Sequence, residues 1–152
     1  MKKLKLTALG LLAGLLFTIA PSHAQNTKMM EEQNKALVQR FFTEVLNGQN
    51  TAIIDQLYIP DMIDHTAFPD QPDGVEGIKT AISYFFETFD QLKVEVEELI
   101  AENDKVATFE KWTAIDKSSG RKVEGEIMHI FKISNGKITD EWSKGWEWLE
   151  KL

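Results

Sequence analysis

Residues 123–148, VEGEIMHIFKISNGKITDEWSKGWEW, decide the fold of this 152-residue chain. Near the centre, Asn135-Gly136 separates two runs that are rich in alternating apolar residues. This dipeptide is the strongest short-range signal for a two-residue β-hairpin turn. Both central residues of such a turn need a positive φ, which Gly and Asn tolerate best. The sequence therefore predicts a tight hairpin in which Ser134 pairs with Lys137.

The register of this hairpin predicts which side chains share a face, because neighbours along a strand point to opposite sides of the sheet. Counted from the turn, Phe131 lies opposite Asp140 and His129 lies opposite Trp142. The predicted inner face contains Ile127, His129, Phe131, Ile133, Ile138, Asp140, Trp142 and Trp146. A face that joins apolar side chains to a histidine and a carboxylate is typical of a ligand pocket.

The first 24 residues have the features of a secretion signal. Lys2, Lys3 and Lys5 precede an apolar run, and Ser22-His23-Ala24 offers the small residues that signal peptidase reads. The apolar run is too short to favour a transmembrane helix. We therefore expect a periplasmic or secreted protein that begins near Gln25 and has no membrane contact after cleavage.

Composition limits the partners of the mature chain. Cleavage would remove three of 17 basic residues, and the remaining 14 against 24 acidic residues give a net charge near −10. Nucleic-acid-binding surfaces are basic, so no nucleic acid is expected as a partner. The chain has no cysteine, which excludes disulfides and thiolate chemistry. With no His-Glu-x-x-His pattern either, no metal is expected.

Apolar periodicity predicts three helices followed by a meander of four strands. The first helix covers residues 31–46, the second runs from Thr51 to Pro60, and the third begins at a capping box formed by Asp73 and Glu76. A short strand is predicted at residues 62–67. The predicted class is α+β, with the helices on one face of a curved antiparallel sheet. Residues 25–33 form a flexible leader and residues 34–152 form the domain.

Two turns in the meander predict conflicting registers. A two-residue turn at Asn103-Asp104 places Phe109 on the inner face. A four-residue loop at 117–120 instead places Thr108, Glu110 and Trp112 there with His129. Both cannot hold in a regular strand, so the sequence predicts a bulge or a different loop length and leaves the direction of Trp112 open.

The candidate catalytic residues are His65, His129 and Asp140. His65 follows Asp64 and precedes a proline-containing loop, which suits a base at a pocket rim, whereas the alternative is a surface histidine. His129 lies on the predicted inner face with Asp140, which would orient it, and the alternative is a hydrogen-bonded core histidine. The candidate ligand-binding residues are aromatic, with core packing as their alternative: Phe41, Tyr84, Trp112, Trp142 and Trp146.

Several segments together carry a family resemblance over residues 34–152. They are Asn34-Lys35-Ala36-Leu37-Val38 with Phe41-Phe42, Asp61-Met62-Ile63-Asp64-His65, Gly74-Val75-Glu76-Gly77, Asp104-Lys105-Val106, Asn135-Gly136-Lys137-Ile138 and Glu141-Trp142. In this order and spacing they resemble the SnoaL-like polyketide cyclases, often called ester cyclases, of the nuclear transport factor 2-like superfamily. The resemblance implies a cone-shaped α+β fold around an apolar pocket, a homodimer formed through the sheet, and intramolecular aldol closure by a pocket carboxylate without a cofactor.

The sequence departs from this family at the position of the usual acid/base. Family members place an aspartate four residues after the tryptophan that matches Trp142, and here that position is Trp146. The segment after Ala114 is also shorter than is usual in the family. Because indole cannot accept a proton, we predict that the chain is not a cyclase working through the usual aspartate. A bulge at Gly145 that turns Trp146 outward or into the core is the alternative.

Three classes of function therefore stay open. The first is an exported protein that binds a small hydrophobic or aromatic molecule in its pocket, for which the family resemblance implies cofactor-independent cyclase or isomerase chemistry. The second is an isomerase or hydratase with Asp61, Asp64 or Asp140 as the base. The third is a non-catalytic ligand-binding or structural dimeric module.

Overall fold

The structure, a computed structural model, describes residues 23–151. The predicted signal peptide therefore lies outside the described residues, apart from His23 and Ala24. Among residues 23–151, no helix is both long enough and apolar enough to span a lipid bilayer.

Three helical regions precede or interrupt the sheet. Helix α1, His23–Arg40, continues as a π-helical segment, Phe41–Leu46. A 3-10 turn, Thr51–Ile53, leads into the short helix α2, Ile54–Leu57, and helix α3 is Val75–Thr88. Helix α1 begins before residue 31, so the predicted leader at 25–33 is helical, and its flexibility stays a prediction.

Side chains determine where these helices begin and end, and the sequence predicted some of these capping residues but not others. The first helical region ends at Leu46, as predicted from Asn47-Gly48. The Asn47 side-chain amide then donates to the carbonyl of Val94 and accepts from its N–H, both at 2.8 Å, which fastens the helix end to the sheet. Asn50 rather than Thr51 caps the next turn, because its side chain accepts from Ala52 N at 3.2 Å.

The predicted capping box at helix α3 is wrong. Gly74 is the residue before the helix, with a φ of 68°, and no side chain caps the first turn. A Cβ at Gly74 would collide with the carbonyl oxygen of Pro60. The close approach of these two backbone segments therefore determines how the helix begins.

The sheet has five strands in the order β1-β5-β4-β3-β2. The strands are β1 Tyr58–Asp64, β2 Phe89–Glu102, β3 Lys105–Asp116, β4 Lys122–Ser134 and β5 Lys137–Lys144, and the last described element is a 3-10 helix, Trp146–Lys151. β1 pairs with β5 in parallel and the other neighbours are antiparallel. The α+β prediction is confirmed, with the helices packed on one face of the sheet.

The predicted hairpin register is right at the turn and wrong beyond it. Ser134 pairs with Lys137 and Ile133 with Ile138, but Lys132 then pairs with Asp140, so Thr139 is an extra residue in β5. A shift of one residue moves every later side chain to the other face. As a result Glu141 and Ser143 are buried, whereas Asp140 and Trp142 lie on the outer face of the sheet.

The register conflict in the meander is resolved by the predicted bulge. Val96 pairs with Glu110 and Glu98 with Phe109, so Glu97 is the extra residue in β2. The two-residue turn at Asn103-Asp104 and the four-residue loop at 117–120 are therefore both present, as predicted. Thr108, Glu110 and Trp112 are all buried on the inner face, and Trp112 is only 2% exposed.

Candidate functional site

An open cleft and a small cavity adjoin each other at one end of the core. The inner cavity measures about 30 Å³, room for roughly one water molecule. It is lined by Phe41, Asp64, Thr66, Phe68, Gln71, Ile78, Ala81, Ile82, Phe85, Trp112, His129, Glu141, Ser143 and Trp146. The outer cleft measures about 660 Å³ and lies between residues 66–71, helix α3 and residues 143–149.

Phe68 and Trp146 line both spaces, and so do the polar residues Thr66, Gln71 and Ser143. A ligand in the cleft would thus meet an aromatic and hydroxyl-bearing boundary before it reaches the buried ionisable groups.

Four ionisable side chains form a buried row on the inner face of the sheet. His129 Nδ1 lies 2.9 Å from Glu110 Oε2. On the other side of the ring, His129 Nε2 lies 3.8 Å from Glu141 Oε1, beyond hydrogen-bond distance. The Tyr58 hydroxyl donates to Glu141 Oε2 at 2.8 Å. One oxygen of Glu141 is therefore held, and the other faces the imidazole without a hydrogen bond.

This environment changes the protonation of both central groups. Burial raises the pKa of Glu141 to about 7, although the charge of His129 and the hydrogen bond from Tyr58 oppose that rise. Burial lowers the pKa of His129, but the hydrogen bond and charge of Glu110 outweigh it, and the pKa is raised overall. At neutral pH Glu141 thus exists in both its acid and its carboxylate form, which suits a group that takes and returns protons.

Hydroxyl groups tie the mouth of the cavity together. Thr66 Oγ1 lies 3.0 Å from Ser143 Oγ and accepts from Ser143 N at 2.8 Å. Asp64 accepts from Thr66 N at 2.9 Å, from the Thr66 hydroxyl at 3.3 Å and from Gln71 Nε2 at 2.9 Å. These bonds hold the end of β1 against β5, where Asp64 pairs with Glu141.

Trp146 points into this end of the core. Its ring stacks on Phe85 at 5.4 Å and meets Trp112 edge to face at 5.3 Å. Its Nε1 donates to Ser143 Oγ at 2.7 Å. Gly145 makes the required turn with a φ of 110°, and a Cβ there would collide with the Glu126 carbonyl oxygen. A bulge at Gly145 was predicted to turn Trp146 either outward or into the core, and the structure shows Trp146 turned inward.

His65, Asp140 and Trp142 do come together, but away from the cavity. The His65 ring stacks on Trp142 with the centroids 4.1 Å apart, and His65 Nε2 lies 3.1 Å from Asp140 Oδ1. This group is on the outer face of β5 because the extra residue, Thr139, moves every later side chain of that strand to the opposite face. The prediction that His65, Asp140 and Trp142 line one pocket with His129 is therefore wrong.

The other predicted residues are placed as follows. Phe41, Trp112, His129 and Trp146 line the inner cavity, and Tyr84, which is 56% exposed, lines only the outer cleft. Of the alternative bases, Asp64 reaches the inner cavity, whereas Asp61 lines neither space.

Sequence reasoning missed the two buried glutamates as site residues. The sequence did indicate that Glu110 is buried, because the register set by the four-residue loop puts it on one face with Trp112 and His129. It gave no such indication for Glu141, since the hairpin rule placed that residue on the outer face.

Within residues 23–151, no cluster of three or more His, Asp or Glu side chains could hold a metal ion.

Comparison with known proteins agrees with this architecture. The family model for SnoaL-like polyketide cyclase matches residues 36–145. No curated protein sequence matches the chain.

Solved structures of similar fold include TsrD from Streptomyces laurentii, which is 20% identical, with a TM-score of 0.70 over 80% of this chain and 97% of that one. A candidate polyketide cyclase from Bacillus cereus is 25% identical, with a TM-score of 0.72 over 86% and 83%. A candidate SnoaL-like polyketide cyclase from Jannaschia is 22% identical, with a TM-score of 0.69 over 80% and 90%. The chain belongs to the SnoaL-like polyketide cyclase family.

Proposed function

We propose that this protein binds a small hydrophobic or aromatic molecule in the outer cleft, with the reacting end in the inner cavity, and transfers a proton on it without a cofactor, as in cyclase or isomerase chemistry. Glu141 is the acid/base in this proposal. The observation that carries it is a glutamate at the cavity wall that is only 7% exposed, has a pKa raised to about 7 and keeps one oxygen free of hydrogen bonds.

The surrounding groups have distinct roles in this reaction. As a carboxylate, Glu141 takes a proton from a carbon next to a carbonyl group and later returns it. His129 is oriented by Glu110, which also raises its pKa, and in its protonated form it opposes the negative charge left on the substrate. Tyr58 holds the second Glu141 oxygen. Glu141 thereby replaces the aspartate whose family position is occupied here by Trp146.

Exchange of α-hydrogens for deuterium tests the proton transfer without knowledge of the natural substrate. We expect the protein to accelerate this exchange on 2-tetralone, a planar apolar ketone, as followed by NMR in D₂O. Glu141→Gln should lower the accelerated rate by about 100- to 10,000-fold, the usual contribution of an acid/base group. Asp140→Asn is the matched control, because it removes the neighbouring carboxylate on the outer face. Equal rates in Glu141→Gln and wild type would contradict the proposal.

A non-catalytic binding or structural module is the second candidate. It is favoured by the small size of the inner cavity, about 30 Å³, which Trp146 lines. Trp112 and Trp146 both line the cavity, so intrinsic tryptophan fluorescence reports binding there. A ligand that changes this fluorescence but exchanges no hydrogen would favour the binding module, and a hydrophobic panel without any effect would favour the structural one.

We also propose that the outer face of the sheet forms a homodimer. Ile100 pairs with Ala107, Ala107 with Ile130, and Ile130 with Trp142, so a row of apolar side chains crosses four strands. Ile100 is 63% exposed and Ile130 is 43% exposed. Exposed apolar patches of this kind mark protein interfaces. Light scattering coupled to size exclusion should give a dimer mass, and Ile130→Asp should give a monomer.

Export is proposed from the sequence of residues 1–24 alone. A mature protein that begins at or near Gln25, measured by intact mass in the periplasmic or secreted fraction, is the expected result. A full-length mass in that fraction would contradict it.

A further inference from the structure

We propose that the site selects an organic amine, with its ammonium group against Asp64 in the inner cavity and its aromatic ring in the outer cleft. This inference rests on the proposed function, since it names the class of molecule that the cleft and cavity bind.

The ionisable groups around the cavity leave an excess of negative charge. Asp64 and Glu141 line the cavity and Glu110 lies behind His129. In the described part of the chain, His129 is the only side chain lining this cavity that can carry a positive charge, and it already lies 2.9 Å from Glu110 and 3.8 Å from Glu141. A carboxylate ligand would add a further negative charge here, whereas an ammonium group would reduce the repulsion.

The Asp64 carboxylate can accept a further hydrogen bond from a bound cation. Its three hydrogen-bond donors are the Thr66 amide, the Thr66 hydroxyl and the Gln71 amide, all of which are neutral. Two of these bonds go to Oδ1 and one goes to Oδ2. A carboxylate accepts about four hydrogen bonds, so Oδ2 can accept one more. Among residues 23–151, Asp64 has no ion-pair partner.

A second, independent feature of the site is the unbonded oxygen of Glu141. This side chain is more than nine-tenths buried, and Oε1 makes no hydrogen bond although the residue lines the cavity. Oε1 faces His129 Nε2 at 3.8 Å and is not one of the fully buried side-chain atoms that lack a hydrogen bond. A polar hydrogen of a molecule in the cavity can therefore reach Oε1 and bond to it.

Aromatic walls and size narrow the ligand further. Phe68, Phe85, Trp112 and Trp146 line the cavity, and aromatic rings attract cations through their π electrons. The cavity of about 30 Å³ admits a primary ammonium group, whereas a quaternary one needs several times the volume of a water molecule. The outer cleft of about 660 Å³ accommodates the ring.

Three near-isosteric probes test this charge selection on the full chain. They are 2-phenylethylamine, 2-phenylethanol and phenylacetate, titrated at pH 7 while tryptophan fluorescence is followed. We expect the amine to bind at least about tenfold more tightly than the alcohol, and the alcohol more tightly than the acid. Asp64→Asn should remove the preference for the amine while binding of the alcohol is retained. Asp140→Asn, the matched control on the outer face, should keep the full preference.

The outcomes separate this inference from the proposed function. If the alcohol or the acid binds as tightly as the amine, the amine selection is overturned, whether or not Asp64→Asn folds, because the wild-type protein alone decides it. If none of the three probes changes the fluorescence, the amine selection is overturned, and α-hydrogen exchange on 2-tetralone decides the proposed catalysis separately. If the amine is preferred but Glu141→Gln leaves α-hydrogen exchange on 2-tetralone unchanged, the amine site stands and the proposed catalysis falls.

Discussion

Replacing Glu141 with Gln removes one titrating group from the buried row while its shape is preserved. Glu141 is 7% exposed and receives the Tyr58 hydroxyl at 2.8 Å. A glutamine oxygen can accept the same hydrogen bond. The difference between the two proteins therefore isolates the charge of Glu141.

The pKa of Glu141 determines how this charge affects stability. The carboxyl group has an ordinary pKa of 4.5 in the unfolded chain, and burial raises the pKa to about 7 in the folded protein. As the pH rises through 4.5 the unfolded chain loses this proton first, so the free energy of unfolding falls. The loss is complete above the folded pKa, and a difference of 2.5 pKa units corresponds to about 3 kcal/mol.

His129 contributes in the same direction in both proteins. Its pKa is raised in the folded state, because its pairing with Glu110 outweighs burial. The stability that it provides is therefore present below its unfolded pKa and is lost as the pH rises through the folded pKa. The charge of Glu141 also helps to raise the pKa of His129, so comparison with the variant measures the titration of Glu141 together with its effect on His129.

Urea unfolding at pH 5 and pH 8, followed by tryptophan fluorescence, measures this difference. Between these two pH values, the wild-type free energy of unfolding should fall by about 2–3 kcal/mol more than that of Glu141→Gln. Asp140→Asn should keep the wild-type slope, because the pKa of Asp140 is lowered and the group is ionised at both pH values. Equal slopes for wild type and Glu141→Gln would refute the buried, raised-pKa state of this residue.

Three further predictions concern the frame around the site. Gly125→Ala places a Cβ in the Trp148 indole, so urea unfolding should show a loss of about 1–3 kcal/mol, which Trp148→Ala in the same chain should partly reverse. Asn47→Ala removes both side-chain bonds to β2 and should cost about 1–3 kcal/mol in the same assay; an unchanged midpoint would contradict it. Tyr58→Phe removes a hydrogen bond that lowers the pKa of Glu141, so the pH midpoint of α-hydrogen exchange should move upward, and a fixed or lower midpoint would contradict that role.

Several elements follow from local sequence alone. Asn135 and Gly136 adopt positive φ values of 51° and 71° in the predicted turn, because few other residues adopt that conformation without strain. Asn47-Gly48 ends the first helical region for a similar local reason. The four-residue loop at 117–120 already placed Glu110 beside His129, so part of the buried row was within reach of sequence reasoning.

Tertiary structure decided which side chains of β5 face the core. β5 pairs with β4 on one side and in parallel with β1 on the other, and the register of both pairings is irregular near Thr139. The partner β1 lies about 80 residues earlier in the chain, at Tyr58–Asp64. Hairpin rules describe only the local pair, so they could not place the extra residue at Thr139.

The sequence by itself therefore determined the fold class, the family and an inner face that contains His129. Tertiary structure alone decided which acidic group accompanies that histidine, because one extra residue in a strand exchanges the faces of every residue after it. It put Glu141 in the core and left Asp140 outside with His65. The pKa of Glu141 is equally a tertiary property, since burial and the neighbouring charges come from strands that are distant in sequence.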